Sequence, residues 1–320
     1  MAKSRHRGNW ETPAEGARDI FSLIGDTPMI PLTLFQKDYP GSRVFGKAEF
    51  MNPGGSLKDR PVARMLQQAV KRGELANGKT ILDSTSGNAG IAYAMFGKAL
   101  GFRVELVIPG NAGRERLVRI RAHGARIVTT DPLEGYDEAL REVHHRHRKA
   151  SEKYFLADQY ANDDNWLAHY ETTAEEILYQ VPDLTYFVGG IGTGGSITGI
   201  GRRLKEKDKT TMVISVRPER FPGIEGLKPL GDPDDIIPDI LDETVIDHTM
   251  EVTSDEAQRY CHGLALEGLF VGQSSGAYLA AVEKVLADDH KACIVTLLND
   301  TGERYLTTGL WQEEEMAWMN

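Results

Sequence analysis

The chain has 320 residues and a formal net charge of −10 at pH 7. Its length allows two lobes with a sizeable core, and its acidity argues against nucleic acid or an anionic membrane as the main partner. Two cysteines are too few for a disulfide scaffold, no apolar run reaches the roughly 18–20 residues that span a bilayer, and the amino terminus has no secretory signal. We therefore expect a cytoplasmic protein.

Short apolar strands alternate with helices along most of the chain. We predict strands at residues 80–83, 103–108, 125–129, 185–188, 212–216 and 292–297, with helices among them at 114–123, 136–149 and 163–180. This alternation is typical of a doubly wound α/β fold, which binds ligands at the carboxyl ends of its strands. The proline- and acid-rich residues 221–242 are predicted to form a long functional loop.

Lys58 lies in a setting that suits a reactive amine. It follows the turn Pro53-Gly54-Gly55 and precedes an apolar helical pattern at residues 62, 65, 66, 69 and 70. We predict that Ser56 caps this helix and that Lys58 lies in its first turn, where the helix dipole disfavours a cation. Such a lysine has a lowered pKa and is nucleophilic, as an imine-forming lysine must be. A chance lysine near a helix start is the alternative for this segment alone.

Three further loops each lead into a helix. Residues 84–90 place hydroxyls and N–H groups at a helix amino terminus, which suits either a bound carboxylate or an ordinary cap. Residues 189–196 are rich in glycine, so their backbone can approach a phosphate closely. In residues 271–277, the hydroxyl of Ser274 can either hydrogen-bond an unprotonated ring nitrogen or cap the helix.

The glycine-rich loop also has a competing interpretation. It matches the dinucleotide-binding fingerprint G-x-G-x-x-G, and Glu219 lies beyond the next strand as a candidate ribose ligand. An NAD(P)-binding oxidoreductase would explain this loop alone and would leave Lys58 without a role. The histidine-rich residues 144–148 are predicted to form a solvated helix face and not a metal site.

Taken together, the four loops resemble those of the β-family of fold type II pyridoxal-phosphate enzymes, the cysteine synthases and cystathionine β-synthases. The resemblance extends from about residue 26 to residue 307. It implies an α/β enzyme of two lobes, each an open, mostly parallel twisted sheet flanked by helices. It implies an amino-terminal lobe of residues 48–160 and a carboxyl-terminal lobe of residues 1–47 plus 161–320.

The resemblance also implies roles for particular residues. Lys58 would form the imine with pyridoxal 5'-phosphate and act in catalysis, Asn88 would flank the cofactor 3-hydroxyl, and Ser274 would meet the pyridine nitrogen. The cofactor phosphate would be bound by Gly192, Thr193, Gly194, Gly195 and Ser196. The substrate carboxylate would be bound by Thr85, Ser86, Gly87 and Gln159.

The implied activity is that of a homodimeric cysteine synthase, which replaces the β-substituent of an O-activated L-serine through an aminoacrylate intermediate. O-acetylserine with sulfide is the leading substrate pair. One alternative is O-phosphoserine with sulfide or a thiocarboxylated sulfur-carrier protein, for which Lys228 and Arg220 are candidate phosphate contacts. A second alternative is serine with homocysteine, as in cystathionine β-synthases. A non-catalytic regulatory relative is disfavoured because Lys58 is present.

Two segments depart from the family pattern. The usual Ser-Gly-Asn-Thr-Gly has Ala89 in place of threonine, so one hydroxyl near the expected substrate carboxylate is missing. The usual Asn-Pro-Ala-Asn after the glutamine reads Ala161-Asn162-Asp163-Asp164. Both changes leave the cofactor chemistry untouched and leave the identity of the donor open.

Overall fold

Ten strands and nine α-helices are found in the residues that the structure, a computed structural model, describes: 19–76, 78–85, 87–233 and 235–311. The strands are β1 (Met29–Pro31), β2 (Arg43–Lys47), β3 (Thr80–Ser84), β4 (Arg103–Pro109), β5 (Arg126–Thr130), β6 (Tyr154–Leu156), β7 (Tyr186–Gly190), β8 (Met212–Pro218), β9 (His248–Val252) and β10 (Cys293–Leu297). The helices are α1 (Asp59–Arg72), α2 (Asn88–Ala99), α3 (Arg114–Ala122), α4 (Gly135–Lys149), α5 (Asp164–Ala168), α6 (Ala174–Gln180), α7 (Gly195–Lys207), α8 (Ser254–Leu266) and α9 (Gln273–Asp288).

The strands form two sheets. One has six strands in the order β1-β2-β10-β7-β8-β9, and the other has four in the order β5-β4-β3-β6. Among the described strands, every pair except β1–β2 is parallel. The strands of each parallel set therefore end at the same edge of their sheet, and the loops that follow them meet there. The predicted α/β class with mostly parallel sheets is confirmed.

The sequence predicts most of the interior elements. All six predicted strands are present, with ends shifted by at most two residues. It misses β1, β2, β6 and β9. Two of these strands have three residues each, and β9 is a polar, mostly exposed edge strand, so none of the three shows a strong apolar alternation. As predicted, residues 221–242 contain no helix or strand among those described.

The helix predicted at 163–180 is interrupted. A π-helical segment, His169–Thr173, separates α5 from α6. It packs against α7 at Gly199, where an added Cβ would lie 2.8 Å from the backbone nitrogen of Tyr170. The close approach of the two backbones at this glycine holds α7, which begins at the glycine-rich loop, tightly against the interrupted helix.

Helix α1 fixes the position of Lys58 by its buried face. Val62, Met65, Leu66 and Ala69 are buried, as their spacing predicts, whereas Val70 is 40% exposed. The helix ends at Gly73, whose φ of +75° is a left-handed conformation that glycine adopts readily. Burial of four apolar side chains therefore anchors the helix that follows Lys58.

Strands β1 and β2 belong to the six-stranded sheet, next to β10. The lobe boundaries at residues 48 and 160 stay predictions. Among the described residues, no helix is both long and apolar enough to cross a bilayer.

Candidate active site

A cavity of about 700 Å³ opens where the carboxyl ends of both sheets meet. Its wall brings together eight of the predicted site residues: Lys58, Thr85, Asn88, Gln159, Gly192, Thr193, Arg220 and Lys228. Five others do not line it: Gly87, Gly194 and Ser274 are each next in sequence to a lining residue, and Gly195 and Ser196 lie further along, at the start of α7. Ser86 lies outside the described residues.

Lys58 is the N-cap residue of α1 and not a residue of its first turn, so this prediction is wrong by one position. Ser56 does not cap the helix, because it pairs with Asp300 in a β-bridge and its hydroxyl accepts from the Lys58 N–H at 3.3 Å. Burial lowers the pKa of Lys58 to about 8, against an opposing effect of the Asp300 charge. The predicted lowering is thus present, with burial as its main cause.

Asp300 is the polar centre next to Lys58. Its Oδ2 accepts hydrogen bonds from Asn88 Nδ2 at 2.6 Å and from the Tyr305 hydroxyl at 2.8 Å. Its buried Oδ1 has no hydrogen-bond partner among the described residues. Arg304 donates to Asn88 Oδ1, which orients the Asn88 amide. Asp300 is fully buried and does not itself line the cavity, so it holds the lining residues Asn88 and Tyr305 in place near Lys58.

The loop after β3 is organised by Thr85. The Thr85 Oγ1 atom accepts from the N–H groups of Gly87 and Gly90, at 3.0 Å each. Its hydroxyl hydrogen remains available to donate into the cavity. Gln159, which follows β6, donates from Nε2 to Ser84 O at 2.6 Å and so lies against the same loop. This arrangement can bind a carboxylate at the start of α2.

The glycine-rich loop turns tightly into α7. Gly194 has a φ of +84°, a left-handed conformation that favours glycine. An added Cβ on Gly192 would lie 2.6 Å from Gly226 O, so the loop has space only for backbone. The N–H groups that begin the 13-residue α7 face this loop and can bind a phosphate.

Ser274 lies in the first turn of α9, whose N-cap is Gly272. The prediction that Ser274 belongs to a loop before the helix is therefore wrong. The helix starts five residues earlier than its apolar pattern suggests, since small polar residues occupy its first turn. Ser274 Oγ accepts from Asn299 Nδ2 at 2.9 Å. The hydroxyl hydrogen is then available to donate to an unprotonated nitrogen.

The two loop cations are already paired. Lys228 Nζ donates to Asp137 Oδ1 at 3.1 Å and to Ile236 O at 3.2 Å. Arg220 pairs with Asp232 at 2.7 Å and with Asp235 at 2.9 Å. Both cations line the cavity, but carboxylates of the same protein neutralise them.

Sequence reasoning did not find several residues of the site. Asn165 is 2% exposed and donates both to Gln159 O at 2.6 Å and to Thr193 Oγ1 at 3.1 Å, so it links the two loops. Asn165 does have a sequence signal, because the segment Asn162 to Asn165, one residue further along, keeps both asparagines of the pattern Asn-Pro-Ala-Asn. Asp300 had a signal as well, because it is a polar residue just after a predicted apolar strand.

The chain is similar to known proteins over most of its length. A family model described as "Pyridoxal-phosphate dependent enzyme" matches residues 20–300. A protein named cysteine synthase from Aquifex aeolicus is 44% identical, covering 96% of this chain and 97% of that protein. The structure of a cysteine synthase from Entamoeba histolytica has a TM-score of 0.85 at 31% identity, covering 97% of this chain and 94% of that one. An O-acetylserine-dependent cystathionine β-synthase from Helicobacter pylori has a TM-score of 0.84 at 31% identity, covering 93% and 100%.

Proposed function

We propose that this chain, which belongs to the pyridoxal-phosphate-dependent enzymes and is of the cysteine synthase type, converts O-acetyl-L-serine and sulfide to L-cysteine. One observation carries the proposal: the half-buried Lys58 lies on the same cavity wall as Thr85, Asn88 and Thr193, and burial lowers the pKa of its amine to about 8. A lysine in this state is a competent nucleophile and base at neutral to slightly alkaline pH.

The residues around the cavity fit pyridoxal 5'-phosphate. We assign Lys58 to its aldehyde carbon, Asn88 to its 3-hydroxyl, Ser274 to its ring nitrogen, and the loop from Gly192 to Ser196 to its phosphate. The tight turn at Gly194 that leads the backbone N–H groups of this loop into α7, and the hydroxyl hydrogen of Ser274, support this assignment. When bound, the cofactor supplies an electron sink for cleavage of bonds at the substrate α- and β-carbons.

The protein's own groups would then move protons and hold the substrate. Lys58 Nζ, once released from the cofactor, would remove the α-proton and later return it. Thr85 and Gln159 would hold the substrate carboxylate at the start of α2, where the helix dipole favours an anion. Ser274 would donate to the ring nitrogen and keep it unprotonated, which favours β-replacement over transamination.

The paired state of Lys228 and Arg220 favours a donor without charge on its leaving group. A phosphate ester would have to compete with Asp137, Asp232 and Asp235 for these cations. An acetyl ester requires no such exchange. O-phosphoserine is the second candidate, because both cations do line the cavity. Homocysteine is an alternative acceptor, because the similar Helicobacter pylori protein is named a cystathionine β-synthase.

Donor preference tests this proposal. The cofactor-loaded enzyme would be given O-acetylserine, O-phosphoserine or serine with sulfide, and O-acetylserine or serine with homocysteine, and kcat/KM would be measured for each. We expect O-acetylserine with sulfide to exceed the others by at least about tenfold. A preference for O-phosphoserine, or product formation with homocysteine alone, would contradict it.

We also propose a cytoplasmic homodimer. Two thiols without disulfide partners, Cys261 and Cys293, fit a reducing compartment. A thiocarboxylated carrier protein belongs to the O-phosphoserine alternative alone. Light scattering coupled to size exclusion tests the dimer, for which we expect twice the chain mass.

A further inference from the structure

Arg116 and Glu225 form a bidentate ion pair on the cavity wall. Arg116 Nη1 and Nη2 donate to the two carboxylate oxygens of Glu225. Arg116 belongs to α3, and Glu225 lies in the loop after β8. Both residues line the same cavity as Lys58 and Thr85, and neither has a role in the activity proposed above.

The two charges are held differently. The Arg116 side chain is 4% exposed, and the Glu225 side chain is 31% exposed. The guanidinium carbon of Arg116 lies 4.9 Å from the centre of the Tyr305 ring, which holds the cation in place. Burying the Arg116 cation costs desolvation free energy unless an anion pairs with it. The more exposed Glu225 carboxylate can instead rotate into water. The Glu225 backbone stays anchored, because its N–H donates to Gln273 Oε1 at 3.3 Å.

Arg116 lies against the loop assigned to the substrate carboxylate. An added Cβ on Gly87 would lie 3.0 Å from Nη1 and 3.1 Å from Nε of Arg116. This is also the loop in which Ala89 removes the hydroxyl that the family pattern carries. A carboxylate bound beside Thr85 would therefore lie within reach of a buried guanidinium.

We propose that Arg116 is a specificity-determining residue that binds the substrate carboxylate, and that Glu225 is its placeholder anion, which the substrate displaces. The inference rests on the proposed function, since it takes an amino acid as the ligand. A substrate carboxylate can accept the same two parallel N–H bonds that Glu225 accepts. Because Glu225 competes with the substrate carboxylate for Arg116, it weakens the binding of ligands that carry a carboxylate.

The proposal predicts that loss of the Arg116 charge and loss of the Glu225 charge have opposite effects on the affinity for L-serine. Binding of L-serine to the cofactor-loaded enzyme would be followed by the visible absorbance of the cofactor, with L-serinamide as a ligand lacking the carboxylate. We expect Arg116→Gln to weaken L-serine binding at least about tenfold and to leave L-serinamide nearly unchanged. We expect Glu225→Gln to tighten L-serine binding about three- to tenfold.

Two further variants serve as controls. Arg116→Lys keeps the charge but loses the bidentate geometry, so it should bind L-serine several-fold more weakly even if Arg116→Gln fails to fold. Glu251→Gln removes an exposed carboxylate that pairs with Arg217 away from the cavity wall, and it should change neither affinity.

The outcomes separate this inference from the proposed function. If Arg116→Gln and Glu225→Gln both weaken L-serine binding, the ion pair only stabilises the structure of the site and the proposal is wrong. If Arg116→Gln weakens both ligands equally, Arg116 does not read the carboxylate, and the proposal is equally wrong. If the wild-type enzyme carries pyridoxal phosphate but binds neither ligand, the proposed function itself fails.

Discussion

The side-chain amide of Asn88 donates a 2.6 Å hydrogen bond to Asp300, a residue 212 positions further along the chain. Asn88 starts the helix after β3 of the four-stranded sheet, and Asp300 follows β10 of the six-stranded sheet. The same Asp300 segment pairs with Ser56, two residues before Lys58. Lys58 therefore lies at a junction that exists only when both sheets have folded.

Ser274→Asp should slow β-replacement by about a hundredfold or more. The new carboxylate would hold the ring nitrogen of the cofactor protonated, because an opposite charge favours the charged form. Ser274→Ala removes the hydrogen bond without adding charge, so it should cost much less. Steady-state kinetics of both variants, with thermal melting as a folding control, check this. Unchanged kinetics in Ser274→Asp would mean that another residue faces the nitrogen.

The lowered pKa of Lys58 predicts a pH profile. In the cofactor-free protein, attachment of pyridoxal phosphate should accelerate as pH rises to about 8 and then level off, since the neutral amine predominates above its pKa. The rate would be measured by borohydride trapping at successive pH values. Lys228→Ala should show the same profile. A rate that keeps rising tenfold per pH unit to pH 10 would indicate an ordinary, solvated lysine.

Lys228→Ala tests whether Lys228 contacts a phosphate on the donor substrate. Because Lys228 is bonded to Asp137 and to Ile236 O, we expect its loss to lower kcat/KM by less than about threefold with O-acetylserine and with O-phosphoserine alike. A charge-assisted phosphate contact contributes roughly 1.5–3 kcal/mol, or about ten- to a hundredfold. A loss of that size confined to O-phosphoserine would assign Lys228 to a phosphate and favour the alternative donor.

Arg60→Ala should destabilise the fold by about 3–5 kcal/mol, because it leaves a buried carboxylate without its counter-ion. Arg60 donates two 2.8 Å bonds to Glu49, whose side chain is 0% exposed, and it also pairs with Glu176. The free energy of unfolding would be measured in urea. The matched control is Arg203→Ala, whose partners are largely exposed and whose loss should cost less than about 1 kcal/mol. Equal costs would contradict the account.

The sequence allowed the fold class and the loops of the site to be predicted because both depend on local patterns. Buried parallel strands contain apolar runs, such as Ile81-Leu82 in β3 and Cys293-Ile294-Val295 in β10, and their helices carry an apolar face. The loop motifs around Lys58, Asn88 and Ser274 lie next to these strands. The predicted helix boundary was one residue off at Lys58, and it was five residues late at Ser274 because α9 begins with small polar residues.

The rest of the site depends on contacts between distant segments. Asn165 joins Gln159 to Thr193, and Arg116 meets Glu225, 109 positions away. Arg116 is one of several arginines on α3, and nothing in its spacing marks it as the buried one. Such pairings follow from the packing of the two sheets, which no local pattern encodes.

We propose that Lys58 is the lysine that binds the cofactor. Peptide mass analysis after borohydride reduction of the cofactor-loaded enzyme tests it most directly, with Lys58→Ala as the comparison. We expect the reduced pyridoxal phosphate on the peptide containing Lys58, and we expect Lys58→Ala to lose both the covalent adduct and cysteine formation. An adduct on another lysine, or near-normal turnover in Lys58→Ala, would contradict the claim.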